Sequence, residues 1–499
     1  MMRKIARAAL VAASLGLPMA AQAQVLEIGA DQSPAGLDPH IATAFSTFLI
    51  NSTIYEGLTA IDKDLRVVPA LAASWTISDD QKTYTFTLRA NLTFHGGTPV
   101  GPEDVVASIR RVLNQQIGSP LASRINMIES ATAEAPNRVV LRLSQPSAPL
   151  LTSLASIAIV PRRMETDRES LQRAPVGTGP FRFQQWVPDT YISLQRHAGY
   201  WEQGMPRLEG LKFNIVPEAA TRQVGIGTGT YQMLPNIDAT TALTLQGRPN
   251  VNLIDTLELA YTLVGFNTST APFNDPRVRE AVNYAINRQQ LVQAVYNGRG
   301  VPGGPLSPAL RDWALPVSQF ACYTPNPARA RELLAAAGHG NGLAITLNVL
   351  PRQDIRDVAQ VVQAQLNQAG FRVELNNQEL GRFIQDWRNS NFQAFVSTNA
   401  GSPDPDDYFY RTFRSGGSTN VFKYENAELD GILDRARSIT DAAQRRALYN
   451  QAQQILACQG PIAHLAYAQL FTALRSNVQG FEMLANRSLW YLRQTSVAR

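Results

Sequence analysis

Histidines, carboxylates, hydroxyl nucleophiles and glycine strings are the residues that could carry chemistry in this chain, and their spacing decides which chemistry. The five histidines, His40, His95, His197, His339 and His464, are scattered. A zinc site needs ligands at short fixed spacings, and neither HExxH nor a cysteine–histidine pattern occurs, so no metal site is expected. The GxSxG nucleophile elbow and the phosphate-binding loop are also missing. No catalytic residue and no cofactor are therefore assigned. Gly225, Gly227 and Gly229 form a glycine string. Dinucleotide binding requires such glycines between a strand and the start of a helix, whereas these follow a helix opening near Glu218, so they read as a turn.

What remains is a dense polar loop, Asn399-Ala400-Gly401-Ser402-Pro403-Asp404-Pro405-Asp406-Asp407-Tyr408, rich in turn formers and carboxylates. Its plainest reading is a solvated turn in which Asp406 or Asp407 caps a helix. Its position makes it the best site candidate. Leu343, Ile345, Leu347 and Val349 alternate as a strand, Val358, Val361, Val362 and Leu366 recur at helical spacing, and Gly370 ends that helix. Phe371, Val373 and Leu375 alternate again, a short helix over about 380–389 follows, and a third strand spans 392–398. This β-α-β-α-β order predicts parallel strands. Parallel sheets bind ligands at the carboxyl ends of their strands, here the loop at Pro351 and Arg352 and the loop after Thr398.

Other elements carry their boundaries in sequence. Asp275-Pro276 opens a helix that runs through Val278, Val282, Ile286 and Val295 to Asn297-Gly298; Asn326-Pro327 opens another, closed by Gly338. Tyr84, Phe86 and Leu88 alternate in a strand over 82–89, and 139–143 reads similarly. A smaller strand-containing region thus precedes residue 175, and a larger α/β region follows residue 265.

The bulk properties narrow the partners. Arg3, Lys4 and Arg7 precede the apolar stretch 8–17 and the small residues at Ala21-Gln22-Ala23, which reads as a secretory signal peptide cut after Ala23. The apolar stretch is about half the roughly 20 residues that cross a bilayer, so a freely diffusing periplasmic protein is expected. The 476 residues left exceed one hydrophobic core and imply two or three domains. The net charge of +5 loses three positive residues with the leader, too little excess to argue for nucleic acid or an anionic membrane. Cys322 and Cys458 are the two cysteines. In an oxidising compartment they read as a disulfide worth about 3–5 kcal/mol, with two buried free thiols as the alternative.

Several strings together carry a family resemblance. YEGLT at 55–59, PVGTGPF at 175–181, LQRHAGYWEQGMPRLEGLKFNIVPEAATR at 194–222 and FNDPRVREAVNYAINRQQLV at 273–292 resemble the family 5 extracellular solute-binding proteins of the dipeptide, oligopeptide and nickel class of ABC importers. AELDGILDRAR at 427–437, the helix over 445–456 and Gly480-Phe481 add to it. The resemblance implies an α/β, two-lobed periplasmic binding protein of type II-like form, with mixed sheets, flanking helices and an inserted subdomain. Lobe I would comprise 24–54, 177–266 and 476–499, the insertion 55–176, and lobe II 267–475. The hinge would lie at Gly265, Asn267 and Leu474. A monomer would close on its solute and deliver it to permease subunits in the inner membrane, with no nucleic acid involved.

The resemblance also bears on the ligand. In peptide-binding relatives an aspartate three residues before the acidic-proline pair grips the ligand amine; aligning that pair with Asp404-Pro405 puts Gly401 there, and Thr398 falls where relatives often carry tryptophan. The expected ligand-binding residues are Phe45, Tyr261, Thr398, Asn399, Gly401, Asp404 and Tyr408, each aromatic having core packing as its alternative. The solute classes left open are a peptide or modified peptide, an opine, a sugar or a small aromatic acid. A periplasmic hydrolase and a nickel or metallophore binder are the competing functions.

Overall fold

The computed structural model describes residues 24–42 and 44–498. The leader expected over 1–23 and its cut after Ala23 lie outside these residues. Among the described residues, no helix is long and apolar enough to cross a membrane.

A twelve-stranded mixed sheet runs through the molecule. At one end Leu343–Val349 runs parallel to both Phe371–Asn377 and Ala394–Asn399, with the helices Gln353–Gln368 and Leu380–Arg388 as crossovers. The first crossover helix buries Ile355, Val358, Ala359, Val362 and Leu366 on one stripe, packed in one core with Leu347 and Val349. This is the β-α-β-α-β unit expected from the apolar periodicity. At the other end Val25–Ala30 runs parallel to Gly210–Ile215 and to Met233–Ile237.

Two long antiparallel tracts join the ends. Val251–Leu257 and then Tyr261–Phe266 pair in succession with the single strand Ile462–Arg475. Val251 stands opposite Arg475 and Leu257 opposite Gln469; beyond the interruption Thr262 stands opposite Ala466 and Gly265 opposite Ile462. Residues 258–261 therefore face only 467–468, a bulge that breaks the ladder between the two halves. This ribbon orients both halves so that the carboxyl ends of their parallel strands look toward each other.

Separate cores fill the two lobes. Leu26, Ile28, Phe181, Phe213 and Leu492 belong to one; Val264, Phe266, Leu347, Val396 and Leu465 belong to the other. A third core around Tyr84, Phe86, Val105 and Leu141 lies with the four-stranded antiparallel sheet formed by Ala72–Ile77, Thr83–Leu88, Arg138–Leu143 and Ile128–Glu134.

Two local expectations differ. The helix opened by Asp275-Pro276 ends at Ala285, and a second, Arg288–Tyr296, begins after Ile286 turns extended; the Asn287 side chain accepts from the Gln290 amide at 2.9 Å and caps it. Gly225 and Gly227 lie inside the helix Ala219–Thr228, where a Cβ on Gly225 would sit 2.4 Å from the Tyr231 ring, and Gly229 caps it at φ 86°. Gly265 is inside Tyr261–Phe266, paired with Phe395 and Ile462, and its missing side chain admits the rings of Phe395 and Phe422.

Candidate functional site

The cleft between the lobes is bounded on one side by the loops after Val349, Asn377 and Asn399, and on the other by those after Ala30, Ile215 and Ile237. The ribbon bulge at 258–261 forms its floor. At the mouth, Arg124 of the inserted subdomain pairs with Asp407 at 3.1 Å, and the Ala148 amide donates to the Arg437 carbonyl at 2.9 Å.

Strand pairing places Tyr261 directly opposite Asn399, and Thr262 opposite Thr398. Asn399 Nδ2 donates to the Tyr261 hydroxyl at 3.0 Å, and its Oδ1 accepts from the Ala400 amide at 3.0 Å. The half-buried amide is thus held at both ends. Tyr261 itself is buried, its ring centroid 5.0 Å from that of Tyr408 and 5.2 Å from that of His464. Tyr408 is also buried and shares a 2.8 Å hydrogen bond with His464 Nε2. Burial, reinforced by nearby Arg288, pushes the His464 imidazole down to about 3, so it is neutral. Of the expected residues, then, Thr398 and Asn399 are half-buried at the end of their strand, while Tyr261 and Tyr408 are buried beside Asn399.

Gly401 packs against the bulge. A Cβ at this position would lie 2.0 Å from the Leu259 carbonyl oxygen and 2.6 Å from its carbon, so no side chain fits. The acidic residues that follow are spent on structure. Asp404 caps the helix Pro405–Phe413 by accepting from the Asp406 amide at 2.8 Å, and it forms a forked pair with Arg445 at 2.8 and 2.5 Å. Asp406 pairs with Arg437 at 2.7 Å, and Asp407 with Arg124 and Arg411. The helix cap expected at Asp406 or Asp407 is made by Asp404, because Pro405 occupies the first helical position.

Phe45 opens the helix Phe45–Ile54 and remains 47% exposed. The Arg487 guanidinium lies over its ring, 4.5 Å from the centroid. Arg487 in turn donates through Nε to Glu258 Oε1 at 2.6 Å, and Glu258 sits in the bulge with its amide on the Ala468 carbonyl. Burial pushes the Glu258 carboxyl up while the Arg487 charge opposes the shift. Arg352, paired with Asp354 at 2.6 Å, acts electrostatically on the same carboxylate. Sequence reasoning missed Glu258 and Arg487. They are 229 residues apart, and no local spacing announces the pair.

The remaining expected positions are distributed through the lobes. The Asn267 side chain donates to the Ser390 carbonyl at 3.0 Å, at the far end of its strand, and Leu474 pairs with Met233 within the first lobe. Cys322 and Cys458 are joined with Cα atoms 5.7 Å apart, beside Phe320, Tyr323 and Ala457. Among the described residues no group of three or more histidine, cysteine or acidic side chains is placed to hold a metal ion. Two surface depressions, about 510 Å³ beside Pro272 and Arg277 and about 630 Å³ over Gln195 and Lys212, lie away from the cleft loops.

Residues 66–420 match the model of the bacterial extracellular solute-binding proteins, family 5. Over 477 residues the chain is 28% identical to the glutathione-binding protein GsiB of Salmonella choleraesuis strain SC-B67, covering 93% of this chain and 92% of that protein. The oligopeptide-binding protein AppA of Bacillus subtilis, solved with a nonapeptide, superposes with a TM-score of 0.83 at 25% identity, covering 96% of this chain and 100% of AppA. The periplasmic binding protein DppA of Helicobacter pylori, solved with the peptide STSA, gives 0.82 at 25% identity over 95% of this chain and 98% of that one. The matched span covers more than half of the chain, including the loop from Asn399, and the chain belongs to the bacterial extracellular solute-binding proteins of family 5.

Proposed function

We propose that this protein captures a small organic solute, peptide or peptide-like, between its lobes and hands it to the permease of an ABC importer. One observation carries the reading: two sets of parallel-strand carboxyl ends face each other across a ribbon whose ladder is broken at one bulge. A solute that touches both lobes stabilises the closed form only through contacts the open form lacks. The relatives named for glutathione and the structures holding peptides support the solute class.

On this reading lobe I comprises residues 24–54, about 160–257 and 469–498, with the insertion between its first two parts, and lobe II comprises about 261–466. The hinge is the bulge at 258–261 opposite 467–468, in place of Gly265, Asn267 and Leu474. Phe45, Thr398 and Asn399 contact the solute; Gly401 shapes the floor; Tyr261 and Tyr408 hold Asn399 in place. The protein works in the periplasm as a monomer, after a leader is cut behind Ala23, and carries out no chemical conversion.

Thermal-shift and small-angle scattering measurements on the mature protein test this. Peptides, opines, sugars, aromatic acids and nickel chelates form the panel. A true ligand at a hundred times its Kd stabilises the fold by about 2.7 kcal/mol and contracts the particle. Consumption of a panel member without contraction would count for the hydrolase instead.

A further inference from the structure

Resting on that reading of the cleft, we propose that Arg487, Phe45 and Phe48 form a lobe I subsite that takes a carboxylate borne on an apolar or aromatic end of the solute. Phe45 and Phe48 are three residues apart on one helix and are 47% and 40% exposed, whereas Leu49 and Ile50 of the same helix are buried. Residues at this spacing share a face of the helix, so both side chains are presented on the same exposed side.

Arg487 completes the feature. The Ser52 hydroxyl, one turn beyond Phe48, accepts from the Leu489 amide at 2.9 Å and lays the segment carrying Arg487 along this helix. The guanidinium uses Nε and Nη2 on Glu258 Oε1, and among the described residues Nη1 has no partner. Side-chain exposure is 24% for Arg487 and 9% for Glu258, so the pair turns its cation toward solvent and buries its anion. A carboxylate can therefore meet Nη1 beside the rings, whereas an amine there would face a positive charge. Planar guanidinium stacked on an aromatic face is pre-organised for such an acid. Because Glu258 lies in the bulge, an acid that loads Arg487 also acts on the hinge.

Isothermal calorimetry with two acid–amide pairs tests the subsite: 3-phenylpropionate with 3-phenylpropionamide, and Ala-Ala-Phe with its C-terminal amide. The acid of at least one pair is expected to bind ten or more times tighter than its amide. Arg487→Gln should remove that difference, Arg487→Lys should keep part of it, and Glu258→Gln should tighten the acid severalfold. Phe45→Ala should weaken acid and amide alike. Circular dichroism checks each fold, and Arg487→Lys stands in if the glutamine variant is unfolded. Equal binding of acid and amide, no binding by either acid, or an acid preference that survives in Arg487→Gln would overturn the subsite. If a neutral solute still contracts the protein in scattering, only the subsite has failed; if no solute does, the capture reading has failed as well.

Discussion

Gly401 and Leu259 belong to different segments of the cleft floor, and they meet so closely that a methyl group on the glycine would lie 2.0 Å from the leucine carbonyl oxygen. The candidate loop is thereby seated on the ribbon bulge itself. Backbone, not a flexible side chain, is the obstacle, so the neighbour cannot yield without shifting the bulge.

Gly401→Ala is accordingly expected to destabilise the protein by about 1–3 kcal/mol, the usual range for overpacking. Gly401→Asp should do at least as much harm and should not create tighter binding of peptides with a free amine. Urea unfolding and calorimetry with Ala-Ala-Ala check both; a stable aspartate variant with improved binding would mean the loop is not seated as described.

Asp404 and Arg445 form a buried, forked ion pair beneath the loop. Removing one partner leaves a buried charge without compensation, so Asp404→Ala is expected to cost about 3–5 kcal/mol. The double change Asp404→Ala with Arg445→Met should cost less than Asp404→Ala alone. Chemical denaturation of the two variants checks this, and a near-neutral Asp404→Ala combined with lost solute binding would give Asp404 a direct role in the site.

The β-α-β-α-β unit was legible because parallel strands and their crossover helices bury continuous apolar patterns, as in Leu343–Val349 and Gln353–Gln368. The break at Ile286–Asn287 was not, because Val278, Val282 and Ile286 continue the helical period across the point where Asn287 starts a new cap. Thr398 and Asn399 were legible as the carboxyl end of a strand, Ala394–Asn399, although the expected strand stopped at Thr398. Glu258 and Arg487 could not, since their pairing depends on how the last segment folds back over the ribbon. The register of Tyr261–Phe266 on Ile462–Arg475 was likewise hidden, because no single stretch encodes it.

Histidines held neutral in the folded protein set the acid response. Burial holds His40 at about 4 and His95 and His464 at about 3, with the Arg111, His197 and Arg288 charges reinforcing it in turn. Each protonates near 6.5 once unfolded, so each withdraws stability as the pH falls below that value. Glu56 acts in the opposite sense: burial raises its carboxyl to about 7, so its contribution is present at low pH and is lost as the pH rises from about 4.5 to 7. The neutral histidines outnumber Glu56, so stability is expected to fall as the pH drops from 6 to 5. Urea titrations at pH 5, 6 and 7 check the slope; stability that rose on acidification would show that the histidines are not buried neutral.

The Cys322–Cys458 bond closes a loop with a sequence separation of 136. Constraining the unfolded chain over such a loop is worth about 4–5 kcal/mol in the chain-entropy model. The double change to serine should lower unfolding free energy by a few kcal/mol while leaving solute affinity within about twofold, because the bond lies beside Phe320 and Tyr323 and not at the cleft. Reduction followed by denaturation and calorimetry separates the two effects.

The central claim is that the lobes close about the bulge when a solute is bound. Spin labels at Gln116, in the inserted subdomain, and at Glu428, in the second lobe, report on it directly through their dipolar distance distribution. Both positions are exposed. With a solute that raises the melting temperature, the distribution is expected to narrow and move to shorter distance. A distribution unchanged by a saturating solute of that kind would contradict the account.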